Sequence, residues 1–189
     1  MSIIDYDIFY RESLPVENNP INSTPFDIFI SAFNASDRVK EVFDKINSTQ
    51  KYWLIHPEYQ FSDEELTEVH ATSIIKPIEF GEQDQVSSLI SSINMTDIEN
   101  TKSCIDSTGF MRNVLALLII TLGYLGCKKI SVLYSEPIQY IENENTHFSI
   151  SALKVKALDG TAITITTNAT DSLIMSIGFD HDLMSQVVN

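Results

Sequence analysis

Apolar positions along this chain alternate between two periods. Phe26-Asp-Ile-Phe-Ile-Ser-Ala32 is a short run of aromatic and β-branched residues leading into a polar turn, which predicts a buried strand over 26–32. From Asp37 to Ile46 the period lengthens. Val39, Val42, Phe43 and Ile46 fall at i, i+3, i+4 and i+7, the stripe of an amphipathic helix. Tyr52 to His56 predicts a second strand stopped by Pro57, and Phe61 to Glu68 a charged loop or short surface helix. Ala71 to Ile75 predicts a third strand, and Glu82 to Ile93 a helix with Val86, Leu89, Ile90 and Ile93 on one side. Lys102 to Asp106 reads as a strand. Phe110 to Leu125 is apolar nearly all round, as expected of a crossover helix buried against a sheet and its neighbours, and Ile130 to Tyr134 returns as a strand.

After Pro137 the pattern changes. His147 to Ala157 and Thr161 to Thr167 alternate with period two around Asp159-Gly160, which predicts an antiparallel hairpin. A three-residue Leu158-Asp159-Gly160 loop, with a type I turn and a glycine bulge, unites the apolar face by setting Val155 opposite Ile163 and Leu153 opposite Ile165. Leu173 to Ile177 then predicts a strand and His181 to Val188 a short helix. Residues 1–25, broken by Pro15, Asn18-Asn19-Pro20 and Pro25, form an N-terminal arm or edge strand. Strands that alternate with helices imply parallel pairing through right-handed crossovers. The expected fold is therefore α/β: a three-layer Rossmann-like domain over 26–189, with a mainly parallel sheet and an added antiparallel β-hairpin.

Composition narrows the partners. The 189 residues, 43% hydrophobic, supply one core of ordinary size. A net charge of −14 argues against direct nucleic-acid binding, since an acidic field repels phosphate and Lys128-Lys129 is a lone basic pair. Cys104 and Cys127 form neither a disulfide framework nor a C-x-x-C pair, and Asp5, Asp7, Arg11 and Glu12 stand where a signal peptide would need a basic start and an apolar run, so a reduced cytoplasm is expected. The most apolar segment, Asn113 to Cys127, is shorter than a bilayer span, and no membrane association is expected. His56, His70, His147 and His181 sit at no metal-ligand spacing.

Three polar constellations follow strands. Ser31, Asn34, Ser36, Asp37 and Arg38 could hold a phosphate at a helix N-terminus, or Ser36 or Asp37 could simply cap that helix. Asp106-Ser107-Thr108-Gly109 with Arg112 is the best single ligand candidate. Ser107 and Thr108 offer hydroxyls, Gly109 permits close backbone approach, and Arg112 is placed one turn into the next helix; Ser107 as a plain N-cap is the competing reading. Glu136, before Pro137, could contact a ribose hydroxyl, act as an acid or base, or be a solvated turn residue. Gly178, Asp180, His181 and Asp182 make a fourth cluster, in which Asp180 most simply caps the last helix. No G-x-G-x-x-G or G-x-x-x-x-G-K-[ST] motif is present, so no dinucleotide cofactor or P-loop chemistry is supported and the cofactor is left open.

The opening Phe26-Asp-Ile-Phe-Ile-Ser-Ala32 with Ser36-Asp37-Arg38 resembles the first strand and turn of bacterial TIR domains. That resemblance implies NAD cleavage by a glutamate following a tryptophan in a later helix. Here Trp53 lies in the second predicted strand, so Glu64, Glu65 or Glu68 cannot be matched to that role by motif. Through Asp106-Ser-Thr-Gly-Phe-Met-Arg112, Leu133-Tyr-Ser-Glu-Pro137 and Ile177-Gly-Phe-Asp180 the chain resembles Rossmann-like proteins of prokaryotic defence loci, some of which are ligand sensors akin to CARF domains. The resemblance implies a non-catalytic sensing or interaction subunit of an antiviral system, with a protein partner or a second copy, and a nucleotide as its ligand. A TIR-like NAD or nucleoside N-glycosidase and an acidic inhibitor or nucleic-acid mimic are the alternatives.

Overall fold

The computed structural model describes residues 25–66, 69, 73–93, 96–136 and 158–159. Its elements run β1 (Phe26–Ala32), α1 (Asp37–Lys45), β2 (Ser48–Leu54), a 3₁₀ turn (Pro57–Tyr59), α2 (Asp63–Leu66), β3 (Ser73–Ile75), α3 (Glu82–Ser92), β4 (Lys102–Asp106), α4 (Arg112–Tyr124) and β5 (Lys129–Leu133). The five strands are all parallel and lie in the order β3-β2-β1-β4-β5. This is the strand order of a Rossmann-like half-sheet extended across its switch point. The fold is α/β, as expected.

Alternation along β1 sorts the core into two clusters. Ile28, Ile30 and Ala32 face α3 and α4 together with Leu54, Ile105, Leu89, Val114 and Leu118. Phe29 and Phe33 face the other side with Val39 and Phe43 of α1, Trp53, Leu66 and Cys104. The inner strands β1 and β4 are thus covered on both faces, whereas β5 is largely exposed. On the α1 side the rings of Phe43 and Trp53 stack at 3.9 Å between centroids, and Phe33 meets Trp53 edge-on at 5.6 Å.

Several boundaries differ from the sequence expectation, most of them by one or two residues. β2 begins at Ser48 because parallel pairing with β1 draws in polar residues, with Phe26 opposite Ser48 and Ile28 opposite Gln50. Lys51 fits that edge by donating from Nζ to Phe43 O (2.6 Å) and lying 5.4 Å from the Phe43 ring centroid. α4 begins at Arg112, two residues after Phe110, because Met111 is extended and serves as the N-cap residue. At its other end Gly126 has φ +94°, and the bonds Gly126 N–H to Gly123 O (3.0 Å) and Cys127 N–H to Leu122 O (2.9 Å) form a Schellman motif.

Of the hairpin, only Leu158 and Asp159 lie within the described residues. Leu158 packs on the α3–α4 cluster, and the Asp159 N–H donates to Glu82 Oε1 at 3.2 Å. The strand pairing expected over 147–167, the last strand and helix, the fourth polar cluster and the N-terminal arm fall outside the described residues.

Candidate functional site

The order β3-β2-β1-β4-β5 reverses its direction of growth between β1 and β4, and the crevice beyond the carboxyl ends of these strands is where open parallel sheets hold ligands. Ser31 and Asp106 are register partners at that edge. Both are completely buried, and Ser31 Oγ donates to Asp106 Oδ2 at 3.0 Å. The second carboxylate oxygen, Oδ1, accepts the Thr108 N–H at 3.0 Å. A buried carboxylate requires such donors, and none of the buried side-chain polar atoms described lacks a partner. Two residues down β4, burial first and the Asp106 charge second push the Cys104 thiol up to about 12.

Ser107, Thr108 and Arg38 clasp the ends of β4, β5 and α1. Ser107 donates to Leu133 O twice, from N (2.8 Å) and from Oγ (2.7 Å). Thr108 Oγ1 accepts the Ser135 N–H at 2.9 Å, and Arg38 Nη1 donates to Ser135 O at 2.8 Å. The N-cap reading of Ser107 is thereby corrected: its hydroxyl is spent on β5. Gly109 is required by a close approach, but the neighbour is the chain itself. A Cβ there would lie 2.0 Å from Ala32 O, so only glycine lets the loop cross the end of β1.

Around the first turn, Asn34 Oδ1 accepts the Ser36 N–H at 2.9 Å, an Asx turn. Ser36 occupies the N-cap position of α1 with extended backbone and makes no side-chain cap bond. Arg112 is the first residue of α4, rather than one turn in, and its side chain is exposed; Glu136 is exposed as well. The predicted residues therefore gather at one sheet edge. Ser31, Asn34, Arg38, Ser107 and Thr108 are engaged with the chain, while Arg112 and Glu136 face solvent.

A second buried network, centred on His56, was not among the predicted site residues. His56 is completely buried at the end of β2, with Nδ1 2.7 Å from Gln85 Oε1 and Nε2 accepting the Met111 N–H at 3.1 Å. Since Nε2 accepts, Nδ1 carries the proton and donates to Gln85. Gln85, also completely buried, donates from Nε2 to Glu58 Oε1 (2.9 Å), Glu58 Oε2 (3.1 Å) and Phe80 O (3.2 Å). Burial holds the imidazole below its ordinary value, against smaller opposing effects of Gln85 and Glu58. A histidine whose two nitrogens are both committed is a brace between strand end and helix start. It has no nitrogen left to act as a general base. The only sequence signal was a lone histidine immediately before a proline at a strand end.

The acidic run after β2 is resolved in part. Ser62 and Glu65 form a reciprocal capping box, with Ser62 N–H donating to Glu65 Oε2 (2.8 Å) and Glu65 N–H to Ser62 Oγ (3.3 Å). Bonding to the Ser62 N–H first, and to its hydroxyl second, lowers the Glu65 carboxyl. Asp63 pairs with Lys76 at 3.4 Å. Among the described residues no group of His, Cys, Asp and Glu is arranged to hold a metal ion, and no helix is long and apolar enough to cross a membrane. A groove of about 350 Å³ runs between α3 and α4, lined by Val86, Ile90, Leu117 and Thr121, on the outer helical face.

The chain matches no protein-family model, no curated protein and no solved structure.

Proposed function

We propose that this protein is a non-catalytic, Rossmann-like sensing and interaction subunit of a prokaryotic antiviral system, which takes a nucleotide at the carboxyl ends of β1 and β4. The observation that carries the ligand clause is the reversal of strand order between β1 and β4, with Ser31, Asp106, Ser107 and Thr108 at that edge. The non-catalytic clause is supported by the commitment of these groups. Asp106, Ser31, Thr108 and both nitrogens of His56 are bonded within the protein, and such groups build a rigid rim. Exposed Arg112, beside the first-turn N–H groups of α4 that have no partner within the helix, is the cation for a phosphate. The defence setting rests on the resemblance of the strand-end segments, and the cytoplasm is its compartment.

Titration calorimetry of the full chain and of Arg112→Ala against a panel of mono-, di- and cyclic nucleotides tests the ligand clause. Saturable binding that Arg112→Ala weakens about tenfold or more is expected for one lost charge-assisted contact. Absence of binding by every nucleotide removes that clause. Co-purification of the products of neighbouring genes with the tagged chain tests the partner clause.

A further inference from the structure

The exits of β2 and β3 lie side by side, since the strands pair in parallel and the Ile55 N–H donates to Ile75 O at 2.9 Å. Three large apolar side chains stand in solvent on these exits: Tyr59 at 42% exposure, Phe80 at 58% and Ile78 at 87%. Tyr59 and the Phe80 backbone are tied to the interior. Completely buried Gln85 ties Phe80 O to the Glu58 carboxylate, and the His56 ring meets that of Tyr59 edge-on at 5.6 Å. Apolar side chains carried on an anchored backbone cost less to order on binding, which favours their use as contact points.

The surrounding charge has one sign. Between Pro57 and Gln85 the sequence holds eight acidic residues and one lysine, half of the chain's net charge of −14. That lysine, Lys76, is paired with Asp63, while Glu79 and Asp84 are exposed beside Phe80. A second copy of this chain would bring carboxylates against carboxylates, and nucleic acid or an anionic lipid surface would bring phosphates. A basic polypeptide meets both features.

We propose that the exits of β2 and β3 form a docking surface for a basic protein segment that presents an apolar side chain between lysines or arginines. This gives the interaction clause of the proposed function a partner chemistry and rests on that clause alone. Its residues are separate from Arg112 and the β1–β4 edge, so failure of nucleotide binding leaves it standing. The outer end of α4 makes the contrast: Tyr124 is 89% exposed, but the neighbouring charges are of both signs, with Lys128 and Glu99 paired at 2.9 Å.

The test is selection of a random linear-peptide display library on the full chain, followed by fluorescence anisotropy of the enriched peptides. Enrichment of Lys and Arg around Phe, Trp or Leu is expected. The double variant Ile78→Ser/Phe80→Ser should weaken binding by more than about tenfold, as for central apolar anchors. Glu79→Lys and added salt should weaken it further, and Tyr124→Ser should leave it unchanged. Circular dichroism confirms that each variant is folded. Acidic or neutral consensus peptides, affinities indifferent to the double variant or to salt, or failure to enrich any peptide would overturn the proposal.

Discussion

Ser31 Oγ donates to Asp106 Oδ2 at 3.0 Å with both residues completely buried, so the two strands flanking the reversal of strand order are joined by a hydroxyl–carboxylate bond. Removing the hydroxyl leaves the carboxylate buried with one donor fewer. Ser31→Ala is expected to lower unfolding stability by about 2 kcal/mol, the range for hydrogen bonds to charged groups. Asp106→Ala should cost more, because it strands both the Ser31 hydroxyl and the Thr108 N–H. Urea denaturation of the two single variants and the double variant checks this, with a non-additive double variant as the signature of direct coupling.

Gly109 separates a ligand role from a structural one. If its purpose were to admit a ligand, alanine would reduce binding and spare the fold. With Ala32 O 2.0 Å from where a Cβ would stand, alanine must instead displace the loop. Gly109→Ala is expected to destabilise by about 3 kcal/mol, the upper part of the usual range for overpacking. Thermal unfolding measures it.

The His56 brace makes stability depend on pH. Its folded-state value lies below the ordinary 6.5, so the unfolded chain binds the extra proton first as pH falls. The contribution is full above about 6.5, declines as pH drops from there to the folded value, and is flat below it. Protonation would also turn the acceptor for the Met111 N–H into a donor. Urea midpoints between pH 7.5 and 5 should therefore fall more steeply for the wild type than for His56→Gln, whose side chain does not titrate in this range. His56→Gln itself should be less stable at neutral pH by about 1–3 kcal/mol, as a buried network is broken.

Cys104 has its thiol pushed up to about 12, and Cys127 is buried as well. A thiol of that kind is unreactive, since only the thiolate attacks. Ellman's reagent at pH 8 should label neither cysteine of the native chain on the timescale that labels both in urea.

Much of this architecture is legible because short clusters of apolar and β-branched residues bounded by polar turns mark the strands. The limits expected for Lys102–Asp106 and Phe26–Ala32 are the observed ones, and the stripe Val39, Val42, Phe43 and Ile46 marks α1, with Ile46 as its C-cap residue. β2 was read short because Ser48 to Lys51 are polar. Their strand conformation comes from pairing with β1, a tertiary cause without a local signature. Ser31, Ser107 and Thr108 lie at the ends of β1 and β4, yet pattern cannot tell a hydroxyl that awaits a ligand from one that bonds Leu133 O. Gly109 shows the same ambiguity: a glycine marks close approach without naming what approaches. His56 escaped notice because its partners, Gln85 and Met111, are distant in sequence and carry no recognised spacing.

The most direct test of the account is a proton and phosphorus NMR time course of NAD and the nucleotide panel mixed with the full chain, which reads binding and turnover together. The account predicts broadening of the resonances of at least one nucleotide, relieved in Arg112→Ala, with every ligand chemically unchanged over a day. Release of nicotinamide or free base would contradict the non-catalytic reading and favour the N-glycosidase, and unbroadened spectra throughout would contradict nucleotide binding at the switch point.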